Sequence, residues 1–387
     1  MAEVTINGHC DKQFARVSEE FEANFLDRGE LGASLVITIE GEKVVDLWGG
    51  VKSENGAEWQ ENTLCVVFSS TKGATALCAH ILIDQEAFQP ETLVSDIWPE
   101  FAQGGKENAT VAMMLDHSAA VPVFREPLRL QGILDWDYMV ERLAAEEAFW
   151  KPGTRNGYHG LNFGWTVGEL VRRRSGKSLG QFFQTEIAEP LGIDFWIGLP
   201  AALDDRVAAI KPYRHPAGAP LSPFLDAVIN QKGSIAGLFM RDAGRQLAGG
   251  FADRDERAAE IGAANGFTNA RGLAGMYSPL ANDGGKLVSA KTVQNMGRTS
   301  MATHEDATLM IPTRFALGFM KSMDNRALGL ESAILSEDAF GHVGAGGSIG
   351  FADPARRMSF GYVMNKLGPG LLLNPRGQSL IDAAYLC

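Results

Sequence analysis

Two side chains at the start of an apolar segment have the types and spacing needed for nucleophilic chemistry. Ser69 and Lys72 stand three residues apart in residues 66–73, Val-Val-Phe-Ser-Ser-Thr-Lys-Gly. On a helix this spacing places both on one face about one turn apart, so the amine can reach the hydroxyl. A serine hydroxyl needs a neighbouring base, and lysine is such a base only when burial or a nearby cation lowers its pKa. The spacing predicts a nucleophile beside its base.

The segment that follows would bury such a lysine. Residues 74–85 form an apolar segment at helical spacing, and Thr75, His80 and Asp84 are the only polar side chains between Lys72 and Gln85. We expect one helix running through the middle of the molecule, with its amino end stabilising a developing negative charge. A serine before an apolar helix is more often only a cap, so the catalytic interpretation needs support from other motifs.

Tyr158 is the second candidate. It lies in a turn-rich loop, residues 150–160, just ahead of a predicted helix. A tyrosine there could act as a phenolate-like base if a nearby cation lowers its pKa, or as the acid that protonates a leaving oxygen. The alternative is a packed aromatic ring with one hydrogen bond.

The third candidate is a glycine-rich stretch, residues 340–350, whose backbone amides could donate to a ligand. Its residues 346–350 match Gly-x-Ser-x-Gly, the nucleophile elbow of α/β-hydrolases. An elbow requires a strand, turn and helix, followed by an acidic residue and a histidine, whereas the last histidine, His342, precedes Ser348. We therefore interpret this stretch as a glycine-rich β turn.

Metal and phosphate motifs are missing from the sequence. It contains no His-Glu-x-x-His, no Gly-x-x-x-x-Gly-Lys-Ser/Thr and no early Gly-x-Gly-x-x-Gly, so we expect no metal and no cofactor. His117 could be catalytic, but a histidine that packs a loop is the commoner case. The four cysteines, Cys10, Cys65, Cys78 and Cys387, lack metal-ligand spacing and favour reduced thiols.

Composition excludes several classes of partner. The chain has 387 residues, 45% apolar and 21% charged, as in a soluble globular protein of two or three domain-sized units. A formal charge of -12 argues against nucleic acid or an anionic membrane as partner. No apolar run could span a membrane and the start lacks a secretory signal, so we expect a cytoplasmic protein whose partner is a small molecule.

The periodicity predicts a sheet that is interrupted in the sequence by helices. The predicted strands are residues 33–40, 43–49, 63–67, 315–320, 339–344, 348–352 and 358–364, and the predicted helices are residues 11–27, 74–85, 139–147, 162–174, 179–187, 271–282 and 379–386. We infer an α/β domain of residues 1–88 and 268–387 with an antiparallel sheet, and an all-α domain of residues 89–267.

Taken together, the motifs resemble those of the serine β-lactamase-like superfamily, which includes class C β-lactamases and penicillin-binding proteins, and within it family VIII carboxylesterases. Ser69 to Lys72 match the Ser-x-x-Lys motif, Tyr158 matches the tyrosine motif, and His342-Val343-Gly344 stands at the Lys-Thr-Gly position. The resemblance spans about residues 14–385. It implies a β-lactamase-like fold, an antiparallel sheet flanked by helices with a helical domain inserted, and an active cleft between the domains.

The resemblance also implies roles. Ser69 would attack the acyl carbon, Lys72 and Tyr158 would share the base and acid duties, and the amides of Ser69 and Ala345 would form the oxyanion hole. No metal and no cofactor would take part.

His342, Gly344 and Gly160 would contact the substrate, and two of them depart from the β-lactamase pattern. Gly160 stands where β-lactamases commonly carry asparagine, and His342 replaces the cationic lysine. Both changes remove groups that grip a β-lactam. The resemblance therefore implies a serine carboxylesterase that cleaves small esters through an acyl-serine.

The rival hypotheses keep the fold or discard the chemistry. A β-lactamase, an amidase, a D-amino-acid peptidase or an acyltransferase would use the same three residues. A non-catalytic ligand-binding relic would not, and the presence of Ser69, Lys72 and Tyr158 speaks against it.

Overall fold

A nine-stranded antiparallel sheet is the frame of the molecule. The computed structural model describes residues 4–247 and 249–387. The strands run in the order β1-β3-β2-β12-β11-β10-β9-β8-β7, and a second sheet has the order β4-β6-β5. The strand bounds are β1 Ile6–Cys10, β2 Gly32–Ile39, β3 Glu42–Gly50, β4 Cys65–Val66, β5 Phe195–Ile197, β6 Gly266–Thr268, β7 Met301–Thr303, β8 Thr313–Phe315, β9 Met320–Lys321, β10 Phe340–Val343, β11 Ile349–Asp353 and β12 Met358–Met364.

Helices cover both faces of the large sheet. Their bounds are α1 Ala15–Leu26, α2 Thr71–Asp84, α3 Val111–Leu115, α4 Trp136–Ala145, α5 Phe163–Ser175, α6 Leu179–Phe183, α7 Glu189–Leu191, α8 Pro223–Asn230, α9 Ile235–Gln246, α10 Arg254–Ala258, α11 Ala270–Ala281, α12 Ala290–Met296 and α13 Pro375–Tyr385. Alternate residues of β2 face opposite sides. Leu35 packs in the cluster that includes α1 and α13, while Val36 packs against α11. None of the helices in the described ranges has the length and apolarity of a membrane span.

The structure confirms most of the predicted elements and corrects one. The predicted strand 315–320 is wrong, because Gly318 adopts φ +86° in a tight turn between β8 and β9. The strands β1 and β7 and the helices α8 and α9 were not expected. The two strands are short, whereas the 12-residue helix α9 is amphipathic and its periodicity was missed. The division into residues 1–88 with 268–387 and residues 89–267 stays a prediction.

The expected central helix is α2, and its residues 71–82 are all buried. Its packing tolerates no side chain at Gly73, where a Cβ atom would lie 2.1 Å from the hydroxyl of Tyr277 on α11. Ahead of the helix, the Val67 amide donates to the Gly266 carbonyl at 2.9 Å. The start of α2 is therefore held from several directions.

A buried ion pair anchors the start of α13 beside residues 340–350, the third motif. Arg376 lies 2.5 Å from a carboxylate oxygen of Glu30, and these side chains are 6% and 0% exposed. The hydroxyl of Tyr362 hydrogen-bonds to the same carboxylate. Just before α13, the Asn374 side chain donates to the carbonyl of Gly346 at 2.8 Å. The pair thus anchors the segment that supports the glycine-rich turn.

We expect Arg376→Met to lower the free energy of unfolding by about 3–5 kcal/mol, because it leaves a buried carboxylate without its partner. The matched control is Arg326→Met, which breaks an ion pair with Asp324 whose side chains are 67% and 47% exposed. The control should cost at most about 1 kcal/mol. Urea denaturation measures both, and equal losses would contradict the role of the pair.

Candidate active site

The structure brings Ser69 and Lys72 together. Ser69 lies in a 3-10 turn, Phe68–Ser70, immediately before α2, and it is partly exposed, whereas Lys72 is fully buried. The Nζ atom of Lys72 lies 3.0 Å from the Oγ atom of Ser69. A solvent-accessible hydroxyl therefore meets an amine that water does not reach.

Two backbone carbonyls complete the surroundings of the Lys72 amine. Its Nζ atom donates to the Gly160 carbonyl at 2.8 Å and to the Ala263 carbonyl at 2.9 Å. Within the described residues no carboxylate pairs with it, and burial holds the pKa of Lys72 well below its usual value. A neutral amine has two N–H groups and one lone pair, which match two carbonyls and one hydroxyl. The geometry suits a base that accepts the Ser69 proton.

Tyr158 completes the group. The Lys72 Nζ atom lies 4.8 Å from the centre of its ring. Burial raises the pKa of Tyr158, although a hydrogen bond with Ser69 acts in the opposite direction. The phenol therefore stays protonated at neutral pH. Of the two roles left open by the sequence, the structure favours the acid over the phenolate-like base.

Asp306 holds the Tyr158 backbone and was missed by sequence reasoning. Its two carboxylate oxygens each accept the Tyr158 amide at 3.0 Å. One of them also accepts the amides of Thr308 at 2.8 Å and Leu309 at 2.9 Å. Asp306 is fully buried, so these bonds are shielded from water. It lies in an irregular segment far along the chain, where neither periodicity nor a motif could reveal it.

His342 carries no charge at this site. Its side chain is buried, and burial lowers its pKa to about 3. Its Nδ1–H donates to the Val343 carbonyl at 2.7 Å, and its Nε2 atom has no partner among the described residues. Its ring lies 6.0 Å from that of Tyr158. A neutral imidazole therefore stands at the third-motif position.

Two further histidines pack behind Tyr158. His117 adopts φ +67°, and its Nδ1 atom accepts the His159 amide at 3.1 Å. The rings of His117 and Tyr158 are 4.9 Å apart. His159 donates from Nδ1 to the Gly157 carbonyl at 2.7 Å, and burial lowers its pKa to about 3. Both imidazoles shape the tyrosine loop, as expected of packing histidines.

The third motif approaches the nucleophile through a glycine. A Cβ atom at Gly344 would lie 2.1 Å from the Val67 carbonyl oxygen and 2.2 Å from Ser348 Oγ. Ser348 is fully buried and donates to the Val67 carbonyl at 2.9 Å. It lies between β10 and β11, not before a helix, which agrees with a glycine-rich turn and excludes the elbow. Ser348 therefore fastens the turn to the nucleophile segment.

Two backbone amides are free to bind an oxyanion. Ser69 lies in the first turn of its helix, where amides have no partner within the helix. The amide of Ala345 donates no hydrogen bond within the described part of the chain. Free amides of this kind are the donors that stabilise a developing oxyanion.

Gly160 has a different setting from the asparagine that β-lactamases commonly carry. A Cβ atom at Gly160 would lie 2.2 Å from the ring of Phe239 on α9. An aromatic ring thus occupies the space that an asparagine side chain would need. The carbonyl of Gly160 accepts a hydrogen bond from Lys72, so Gly160 contributes a backbone group to the site and no side chain.

The buried histidines predict a stability that falls in mild acid. Burial lowers the pKa of His80 to about 4, against about 6.5 in an unfolded chain. Below pH 6.5 the unfolded state binds a proton that the folded state refuses, so stability is lost as the pH falls from 6.5 towards 4.

His80→Gln should therefore reduce the loss of unfolding free energy between pH 7 and pH 5 by about 1.5–2 kcal/mol. Denaturant titrations at both pH values measure this difference. The control His304→Gln, at an exposed position, should keep the wild-type loss. If His80→Gln also kept the full loss, the buried neutral imidazole would not be its source.

Comparison with known proteins gives the family. The Beta-lactamase family matches residues 15–384. The esterase/beta-lactamase LipL of Mycobacterium tuberculosis is 34% identical over 372 residues, which cover 93% of this chain and 83% of that protein. A crystal structure of a family VIII carboxylesterase has 39% identity and a TM-score of 0.87, covering 99% of this chain and 100% of that chain.

A penicillin-binding protein homologue from Caulobacter crescentus has 36% identity and a TM-score of 0.86, with 99% of each chain covered. These matches confirm the β-lactamase-like fold that the three motifs implied. This chain therefore belongs to the beta-lactamase family.

Proposed function

We propose that the protein is a serine carboxylesterase that hydrolyses small carboxylic esters through an acyl-Ser69 intermediate. The observation that carries this proposal is the buried Lys72 amine, bonded to two carbonyls and placed 3.0 Å from Ser69 Oγ. The similarity to a family VIII carboxylesterase and to an esterase/beta-lactamase supports the choice of an ester bond.

In the first step, Ser69 Oγ bonds to the acyl carbon as its proton passes to Lys72 Nζ. The carbonyl oxygen gains the negative charge, and the amides of Ser69 and Ala345 donate to it. Donors fixed in advance stabilise this charge more than water can, because they need no reorganisation during the reaction.

In the second step, the tetrahedral intermediate collapses and the ester C–O bond breaks. The Tyr158 hydroxyl gives its proton to the leaving alcohol oxygen, and the Lys72 ammonium returns a proton to Tyr158. Water then attacks the acyl-Ser69 carbonyl, and its proton passes to Tyr158 as Tyr158 gives its own proton to Lys72. The bond between the acyl carbon and Ser69 Oγ breaks, and the Lys72 ammonium returns a proton to Ser69 Oγ. The sum is ester plus water to acid plus alcohol.

The proposed partner is a small ester, and the charge of -12 supports the absence of a nucleic-acid or anionic-membrane partner. We place the protein in the cytoplasm as part of the same proposal. Its four free cysteines support a reducing compartment.

Labelling with a serine-directed organophosphonate tests the nucleophile. One adduct should appear on a peptide that contains Ser69, and Ser69→Ala should lower kcat at least about a thousandfold and abolish the adduct. Ser348→Ala is the matched control, because Ser348 is buried and has no base beside it. The loss of its hydrogen bond to the Val67 carbonyl should lower kcat far less than Ser69→Ala does. A folded, inactive Ser348→Ala beside an active Ser69→Ala would overturn the assignment.

Substrate preference gives a separate prediction. A charge-assisted hydrogen bond contributes about 1.5–3 kcal/mol, and the neutral His342 cannot supply one to the carboxylate of a β-lactam at pH 7.5. We expect kcat/KM for a neutral short-chain ester to exceed that for a cephalosporin at least about a hundredfold. Steady-state kinetics with both substrates measure the ratio, and comparable values would favour the β-lactamase alternative.

Phe239 provides an internal control for this preference. Gly160→Asn alone should not narrow the ratio, because the Phe239 ring fills the space. Gly160→Asn combined with Phe239→Ala should narrow it about tenfold by restoring an amide contact. A smaller ester-to-cephalosporin ratio of kcat/KM in Gly160→Asn alone would show that the Phe239 ring does not exclude the asparagine side chain.

A further inference from the structure

An apolar groove of about 670 Å³ adjoins the proposed oxyanion hole. Its walls come from residues 212–225, from Met240 on α9 and from residues 367–371, and its inner edge is formed by Ala345 and Gly346. The lining includes the apolar side chains of Tyr213, Phe224, Met240, Leu367 and Leu371. This volume lies within the range of sites that hold a ligand larger than an acetyl or butyryl group.

The proposed mechanism indicates whether the acyl group or the alcohol group of the ester enters the groove. This inference rests on the proposed function. Tyr158 must contact the leaving oxygen, yet neither Tyr158 nor Lys72 lines the groove. The groove meets the site at Ala345, whose amide would hold the carbonyl oxygen. With the alcohol placed at Tyr158, the acyl substituent extends over Ala345 into the groove.

One wall of the groove carries a negative charge. Glu331 lines it, and its Oε2 atom accepts the amides of Leu371 at 2.6 Å and Leu372 at 3.1 Å. Its Oε1 atom accepts no hydrogen bond from the described residues, and no lysine or arginine is part of the lining. The negative charge of Glu331 therefore acts on any group that binds in the groove.

Lys211 and Lys366 adjoin the groove walls in sequence, but their side chains bind elsewhere. Lys211 Nζ lies 2.5 Å from a carboxylate oxygen of Glu54, and Lys366 Nζ donates to the Gly29 carbonyl at 2.5 Å. The hydrogen bond and charge of Lys211 lower the pKa of Glu54, and the charge of Arg214 contributes less to this shift. None of these three cations is among the residues that line the groove.

We propose that the groove binds a bulky, uncharged, apolar acyl group, and that Glu331 discriminates against acyl chains that end in a carboxylate. Burial of apolar carbon favours the first kind of chain. Repulsion from a fixed carboxylate in a partly dry groove disfavours the second. The native substrate would then be a neutral ester of a medium-chain or aromatic acid.

The test compares 4-nitrophenyl octanoate, the 4-nitrophenyl monoester of octanedioic acid and 4-nitrophenyl acetate. The first two have the same chain length and differ by a terminal carboxylate. In the wild-type enzyme kcat/KM should be at least about tenfold higher for the octanoate than for the octanedioate. Glu331→Gln keeps an oxygen for the Leu371 and Leu372 amides and removes the charge, so this ratio should fall about fivefold.

Filling the groove gives a second readout. Leu371→Trp should lower the octanoate-to-acetate ratio of kcat/KM at least about fivefold, because only the long chain needs the space. Glu141→Gln, an exposed position on α4, should keep both ratios at their wild-type values.

Unchanged ratios in both groove variants of an enzyme that still hydrolyses the esters would overturn this proposal alone. Failure of the wild-type enzyme to hydrolyse any of the three esters would instead count against the esterase function.

Discussion

The arrangement of the site depends on one constraint: the Lys72 amine is buried, and no carboxylate of the described residues pairs with it. A charged ammonium in this position would lose most of its hydration and find only carbonyl dipoles and one hydroxyl. The neutral amine has the complementary set of two donors and one acceptor. The elements that surround Lys72 therefore also determine the reactivity of Ser69, because they decide how readily the amine accepts a proton.

Those elements come from distant parts of the chain. The Gly160 carbonyl belongs to the tyrosine loop and the Ala263 carbonyl to the segment before β6, while Ser348 ties the β10–β11 turn to Val67. Each contact requires backbone to approach closely, which explains why Gly344 has no room for a side chain. The large sheet, with β2 beside β12, holds the two ends of the chain in register so that these loops converge.

The local chemistry of this site was predictable from the sequence, and its support was not. The sequence predicts the pairing of Ser69 and Lys72 from their helical spacing, because both lie in one continuous helical stretch, the 3-10 turn and the start of α2. Asp306 is bound to Tyr158 across 148 positions in the chain, and only the fold brings them together. The ring of Phe239 over Gly160 is a further contact of this kind. Short strands such as β8 and β9 were merged for a related reason, since a single turn residue, Gly318, leaves no trace in an apolar run.

The charges of the site, from Lys72 to the groove, all favour an uncharged ligand. Lys72 is neutral as the base, His342 is neutral where β-lactamases carry a cation, and Glu331 adds a negative charge farther out. Among the described residues of the site, an anionic substrate would therefore meet the neutral Lys72 and His342 near Ser69 and one carboxylate in the groove. A neutral ester loses nothing by this arrangement, since its carbonyl oxygen becomes charged only in the transition state, where the proposed oxyanion hole, the amides of Ser69 and Ala345, would bind it. The proposed preference for an uncharged substrate thus follows from the same distribution of charge as the proposed role of Lys72 as a base.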